Sequence, residues 1–178
     1  RYMFNELLEN ALTHGRRHGY DTSKVWVACQ YYSSNGLIRI GIVDTGCGFR
    51  QSLQTHPQSP ETDEAAILLA LEPRVSCNKD VDLMGDSVNE GIGLTVVYRM
   101  VKDAGGTMVL LSGHSIIEDK TDKGISTKSL GSSAWQGVGI ALEIKRTAFK
   151  DRLVSRDVIR ALGSEIPLPQ SDIDIQFI

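Results

Sequence analysis

The stretch Asn89-Glu-Gly-Ile-Gly-Leu-Thr-Val-Val-Tyr-Arg-Met-Val-Lys-Asp-Ala-Gly-Gly106 constrains this chain more than any other. Gly91 and Gly93 open a run whose apolar residues fall at Leu94, Val97, Met100, Val101 and Ala104. That is the i, i+3, i+4, i+7 stripe of an amphipathic helix. Gly105-Gly106 ends it, as glycine does at helix C-termini. The spacing predicts a helix over 91–104, approached through glycines, with a positive N-terminal dipole end and unpaired N–H groups that suit an anion such as phosphate. Alone, the same residues fit a flexible loop ahead of an ordinary packed helix equally well. Partners elsewhere in the sequence decide between the two.

At 178 residues the chain is long enough for one well-buried domain with a small appendage. A net charge of −3 with no basic run gives no reason to expect nucleic acid as a partner. No apolar run reaches the length of a membrane span, and no signal peptide is visible. Cys29, Cys47 and Cys77 are odd in number and form no C-x-x-C pair, so neither a disulfide framework nor a zinc site is indicated. A reduced, cytoplasmic setting is the expectation. The chain opens at Arg1 directly in helical pattern, and further residues are expected before it.

Residues 2–14 predict a helix with Phe4, Leu7, Leu8, Ala11 and Leu12 on one face. Glu6, Asn10 and His14, spaced i, i+4, i+8, line a neighbouring face. Val25–Tyr32 and Leu37–Val43 are β-rich and flank an Asn35-Gly36 turn, which predicts a hairpin. The second strand runs into Asp44-Thr-Gly-Cys-Gly-Phe49. Residues 50–88 read as loop apart from a helix over 63–72, and a segment of that length suggests a functional lid. Thr107–Leu111 and Val138–Ile144 read as strands, and 113–137 as a mobile, polar connection. Beyond Lys145 the sequence offers a helix over 156–162 and a β-like 173–178. Trp26 and Trp135 are expected to serve packing.

Neither glycine pair completes a dinucleotide fingerprint, and no P-loop occurs. Asp44 stands at a strand end, followed by Gly46 and Gly48, which let the backbone approach a flat ligand. A buried carboxylate there can accept a hydrogen bond from an exocyclic amine such as that of adenine, although Asp-x-Gly is also a common strand-ending turn. The amide oxygen of Asn10 suits magnesium beside phosphates, and the nearby Glu6 carboxylate can activate a water or hydroxyl. A single Glu/Asn pair is equally an ordinary solvated helix face.

In combination, Glu6-Leu-Leu-Glu-Asn10-Ala11, Asp44-x-Gly46-x-Gly48 and Asn89-x-Gly91-x-Gly93-Leu94 resemble the N, G1 and G2 boxes of the GHKL ATP-binding family, which includes gyrase, a heat-shock chaperone, histidine kinases and MutL. The continuation from Gly93 to Thr107 is similar to the histidine-kinase and anti-sigma-factor branches. The resemblance spans roughly residues 2–146. It implies the Bergerat fold: an α/β two-layer sandwich with a mixed β-sheet covered on one face by helices. By the same resemblance Asp44 binds the adenine amine, with Gly46 and Gly48 shaping the base pocket. Asn10 holds Mg2+, and Glu6 is the catalytic carboxylate. Gly91, Ile92, Gly93 and Leu94 join the ATP lid to the phosphate-facing helix.

Two departures accompany it. Gly137-Val138 stands where many relatives have Gly-Thr, which puts a water-mediated adenine contact in doubt. Within these 178 residues no further domain is expected that would supply a lysine for the γ-phosphate, and Arg74 or Lys79 in the lid could reach it but read more simply as exposed loop charges. His14 and His18 do not resemble a phosphoacceptor region, and Cys47 reads as small and packable. The expected organisation is an ATP-binding domain over 1–147, with a lid at about 50–88, followed over 148–178 either by a C-terminal tail with an accessory helix packed on the sheet or by the start of a further module, Arg152–Leu162 resembling the opening of a STAS-like one. The expected function is that of a Mg-dependent, ATP-binding regulatory domain with kinase or ATPase activity, acting as a nucleotide-controlled switch. The alternative is a non-catalytic, ATP-dependent protein-interaction module. A protein partner or substrate is expected on either reading, and a homodimer is left open.

Overall fold

The computed structural model describes residues 2–73, 75 and 93–148. The tail elements expected over 156–162 and 173–178, the glycine-motif residues Gly91 and Ile92, the lid from residue 76 onward, and Arg74 and Lys79 lie outside them.

The described residues form four helices and six strands. In chain order these are α1 (Tyr2–Thr13), β1 (Val25–Tyr32), β2 (Leu37–Asp44), α2 (Gly48–Ser52), α3 (Asp63–Ala70), α4 (Gly93–Asp103), β3 (Thr107–Gly113), β4 (Ser115–Lys120), β5 (Gly124–Ser129) and β6 (Trp135–Lys145). The strands make one sheet in the order β1-β2-β6-β3-β4-β5. Every described pairing is antiparallel, which corrects the expected mixed sheet. Three of the pairings, β1–β2, β3–β4 and β4–β5, are consecutive hairpins, and the other two arise because β6 returns to lie between β2 and β3.

Side-chain alternation separates two faces. One cross-strand row joins Ile42, Ile140, Leu110 and Ile117, and all four are buried under the helices. From above, α1 supplies Met3, Leu7 and Ala11, and α4 supplies Val96, Val97, Met100 and Val101 to the same core. Val97, Met100 and Val101 of the expected α4 face pack here; on α1 Leu7 and Ala11 do so together with Met3, whereas Leu12, expected on that face, is 39% exposed. The next row out on β4 ends in Asp119, which is buried and accepts hydrogen bonds from the Tyr98 hydroxyl and the Lys102 ammonium of α4. The opposite face of the sheet carries Trp26, Val43, Gly139, Leu111 and Ile116 in one row. Trp26 is 52% exposed there, so it is not the packing residue it was expected to be.

Two connecting segments are more ordered than their composition suggests. Residues 113–137 hold the β4–β5 hairpin rather than a mobile connection. In the stretch after Gly48, α2 and α3 belong to the body of the domain. Thr62 caps α3 by accepting the N–H of Ala65 at 3.1 Å. Asp63 then accepts the backbone N–H of His114 at 2.8 Å, and Ala66 and Ile67 are fully buried. Among the described residues no helix is long and apolar enough to cross a membrane.

Candidate functional site

A cavity of about 390 Å³ opens between α1, α4 and the strand ends. Its wall includes Glu6, Asn10, Asp44, Gly48, Gly93 and Leu94, so residues from three separate sequence motifs meet in one place. Gly46 is not part of that wall and lies against the Gly15 backbone, and Gly91 and Ile92 are outside the described residues.

Asp44 ends β2 on the helix-covered face and is 3% exposed. Its Oδ1 accepts the backbone N–H of Gly46 at 2.8 Å and that of Val138 at 3.2 Å. Burial raises its carboxyl above the ordinary carboxylate value, and the two N–H donors pull against that rise. With Oδ1 occupied, Oδ2 is the oxygen left to face the cavity as an acceptor. The Asp44 carbonyl oxygen accepts the indole N–H of Trp135 at 3.1 Å, which fixes the strand end from β6.

The turn after Asp44 is fitted tightly against α1. A Cβ at Gly46 would stand 2.0 Å from the Gly15 carbonyl oxygen, so only glycine permits this approach of two backbones. Cys47 donates its N–H to the same Gly15 oxygen at 3.2 Å, and its thiol to the His14 oxygen at 3.3 Å. Gly48 has φ +73°, a left-handed conformation that side chains disfavour, and it starts α2. Ser112, buried on β3, accepts the Phe49 N–H at 3.1 Å and donates to the Gly137 oxygen at 2.9 Å. One serine thus joins the α2 turn to β6.

Across the cavity, Glu6 and Asn10 project from successive turns of α1. The Glu6 carboxylate lies against the start of α4, where a Cβ at Gly93 would come 2.2 Å from Oε2. Burial raises the Glu6 carboxyl, a hydrogen bond from Tyr2 opposes the rise, and the negative charge of Glu9 adds to it. His14, one turn beyond Asn10, also lines the cavity. Burial first and the nearby Arg17 charge second lower its imidazole to about 4, so it is neutral at physiological pH.

These distances leave the cavity with a buried acceptor at one end and a carboxylate, an amide and a helix N-terminus at the other. Such a site can hold a ligand that has an amine donor at one end and an anionic group at the other. The family of histidine kinase-, DNA gyrase B- and HSP90-like ATPases matches residues 1–133. The chain belongs to this family. It is an ATP-binding domain of the GHKL type, and the antiparallel sheet with helices on one face is consistent with that fold. Comparison with individual curated proteins gave no match.

Sequence reasoning did not find every residue of this GHKL site. Ser112 and Trp135 carry no motif; their contribution depends on β3 and β6 arriving beside Asp44, and Val138, at the Gly-Thr position, bonds Asp44 through its backbone N–H. Gly15 was read only as a helix stop, yet its carbonyl anchors the turn at Cys47. His14 is the helix-end residue the sequence suggests, its N–H bonded to the Asn10 oxygen at 2.9 Å, and it also lines the cavity. Cys47 does pack as expected, with its thiol bonded to the end of α1.

Proposed function

We propose that this ATP-binding domain works with magnesium as a nucleotide-controlled switch having kinase or ATPase activity. One observation carries the reading: Glu6, Asn10, Asp44 and Gly93, distant in sequence, line a single cavity. Asp44 accepts the adenine amine through its remaining oxygen, and Gly46 and Gly48 shape the base pocket around it. The phosphates lie toward Gly93 and Leu94, under the N–H groups of α4.

Among the described residues no group of three or more His, Cys, Asp or Glu side chains is gathered as a metal cage. Magnesium at nucleotide sites is held by one or two protein oxygens together with phosphate oxygens, and the Asn10 amide oxygen is a hard donor of that kind. When bound, the ion neutralises phosphate charge. Glu6 lies beside the α4 N-terminus with its carboxyl desolvated, which supports a role in taking a proton from an attacking water or a protein hydroxyl. Its proton then leaves with the released phosphate or through solvent, which restores the carboxylate for another cycle.

The test is a titration with ATP and magnesium followed by a turnover assay, in the parent and in Glu6→Ala. Retained binding with lost turnover in Glu6→Ala supports the reading. Tight binding with no turnover in the parent supports the alternative, a module that uses ATP only to order a partner-binding surface.

A further inference from the structure

The helices cover the sheet unevenly. Helix α4 packs on β3 and β6 and α1 on β2, while β1 is the strand beyond β2 at the sheet edge. Pairing carries the inward rows on to β1 all the same. Val27 stands opposite the buried Ile42, Cys29 in the row of Ile40 and the buried Leu142, and Tyr31 in the row of Ile38 and the buried Ile144. Opposite residues share a face, so Val27, Cys29 and Tyr31 belong to the helix-covered side. Yet Val27 is 44% and Tyr31 48% exposed, and Cys29 is an exposed free thiol. Val25–Tyr32 holds no charged residue, and the core is open here along a shelf of uncharged side chains.

The described chain leaves the sheet at the foot of this shelf. Lys145, the last residue of β6, pairs with Leu37 at the hairpin end of β2. The Arg146 N–H donates to the Gly36 oxygen at 2.7 Å, and its guanidinium lies 5.9 Å from the centre of the Tyr31 ring. Ala148 is already on the helix-covered side, packed against the core. In the sequence that follows, Val154, Val158, Ala161 and Leu162 are spaced i, i+4, i+7, i+8, and Arg156 and Arg160 fall on the other side of such a helix. That stripe is about 12 Å long at a helical rise, and Val27 to Tyr31 spans about 13 Å of strand.

We propose that Val154–Leu162 docks on this shelf as an amphipathic helix alongside α1, with its apolar stripe on Val27, Cys29 and Tyr31 and its arginines toward solvent. The tail then completes the core of the ATP-binding domain instead of opening a separate module. It also flanks α1, the helix that carries Glu6 and Asn10, on the side away from α4. A second copy of the chain would have to reach the shelf from solution. This segment is joined to the foot of the shelf by a short connection, which gives it a high effective concentration there.

The test uses the whole 178-residue chain, with Cys29 as reporter. Labelling by N-ethylmaleimide is followed at each cysteine by peptide mass spectrometry. Cys29 is expected to label several-fold more slowly in the native chain than in urea. Val158→Asp should raise the native rate several-fold, and Arg156→Glu should leave it unchanged. Native labelling at the urea rate, an unmoved rate in Val158→Asp, or equal acceleration in both variants overturns the proposal. Proximity is read separately with milder changes, by oxidising Val154→Cys, Val158→Cys and Leu162→Cys one at a time. An intramolecular disulfide to Cys29 from at least one of them, and none from Arg156→Cys, upholds the docking; no such disulfide from any overturns it. Protection of Cys29 that grows with protein concentration, with a dimer in sedimentation, assigns the shelf to a second copy and overturns it as well.

Discussion

The Glu6 carboxylate sits where a methyl group on Gly93 would have to go, 2.2 Å from Oε2. This contact joins the first and last of the three sequence motifs, and it separates two kinds of glycine in the site. At Gly93 the obstructing atom is the end of a movable side chain. At Gly46 it is the Gly15 backbone, at 2.0 Å from the oxygen and 2.4 Å from the Cα.

Gly93→Ala is therefore expected to fold. Gly93 is the first residue of α4, where alanine gains less over glycine than in a helix interior, and the obstructing Glu6 side chain can turn aside. Thermal unfolding should move by no more than a few degrees. Turnover should fall about 100-fold, the scale expected for an ångström of misplacement in a reacting group. Full activity in Gly93→Ala would show that Glu6 need not occupy this seat.

Gly46→Ala has no such escape, because neither backbone can rotate away. The clash also pulls on the Gly46 N–H to Asp44 and the Cys47 N–H to Gly15. A destabilisation of about 3 kcal/mol or more is expected, read as a fall in Tm of roughly 10 °C. A variant with the parent's Tm would mean that α1 and the turn after β2 are not seated as described.

Asp44→Asn separates binding from stability. The Asn oxygen can keep the Gly46 and Val138 N–H groups, but its amide turns a donor toward the cavity in place of the acceptor Oδ2. Loss of a hydrogen bond to a charged group is worth about 1.5–3 kcal/mol, or roughly 10- to 100-fold in the Kd for ATP by calorimetry. Stability should move the other way. The folded-state carboxyl is raised by burial, so the folded state binds the proton more tightly and loses stability as pH rises through the carboxylate range from 3.8 upward. Asn carries no charge to desolvate, so the ligand-free variant should be as stable as the parent or more so at pH 7. That advantage should vanish below pH 4.

Much of this arrangement was legible in the sequence, for physical reasons that also mark where legibility ended. The helix periods around Leu7 and Val97 and the β-rich runs around Asn35-Gly36 are local signals, and those elements formed where the patterns placed them. The motif residues could be grouped because glycine and carboxylate requirements leave a mark at fixed positions. Ser112, Val138 and Trp135 act through a hydroxyl, a backbone N–H and an indole, respectively, and only the pairing of β6 with β2 and β3 gives them a role. The β4–β5 hairpin was missed because both of its strands are short and polar, and β5 is exposed at the sheet edge throughout. Without an apolar alternation a strand resembles a loop in sequence. The antiparallel pairings of β6 with β2 and β3 follow from where β6 inserts, which no local pattern encodes.

His14 provides a test of the cavity's interior that is independent of any ligand. Its imidazole, lowered to about 4 from 6.5, refuses a proton that the unfolded chain accepts. The unfolded state thus binds more protons than the folded state between those two values, and the His14 contribution to stability falls as pH drops from 6.5 toward 4, by up to ~3 kcal/mol. Asp44 and Glu6, both raised, act in the opposite sense over the lower part of that range, so the parent's Tm curve alone mixes the two. His14→Gln isolates the histidine: the difference in Tm between parent and variant should change steadily from pH 6.5 to 4 and stay flat above 7. Parallel Tm curves across the whole range would mean that His14 is solvated, and that the end of α1 does not close this side of the cavity.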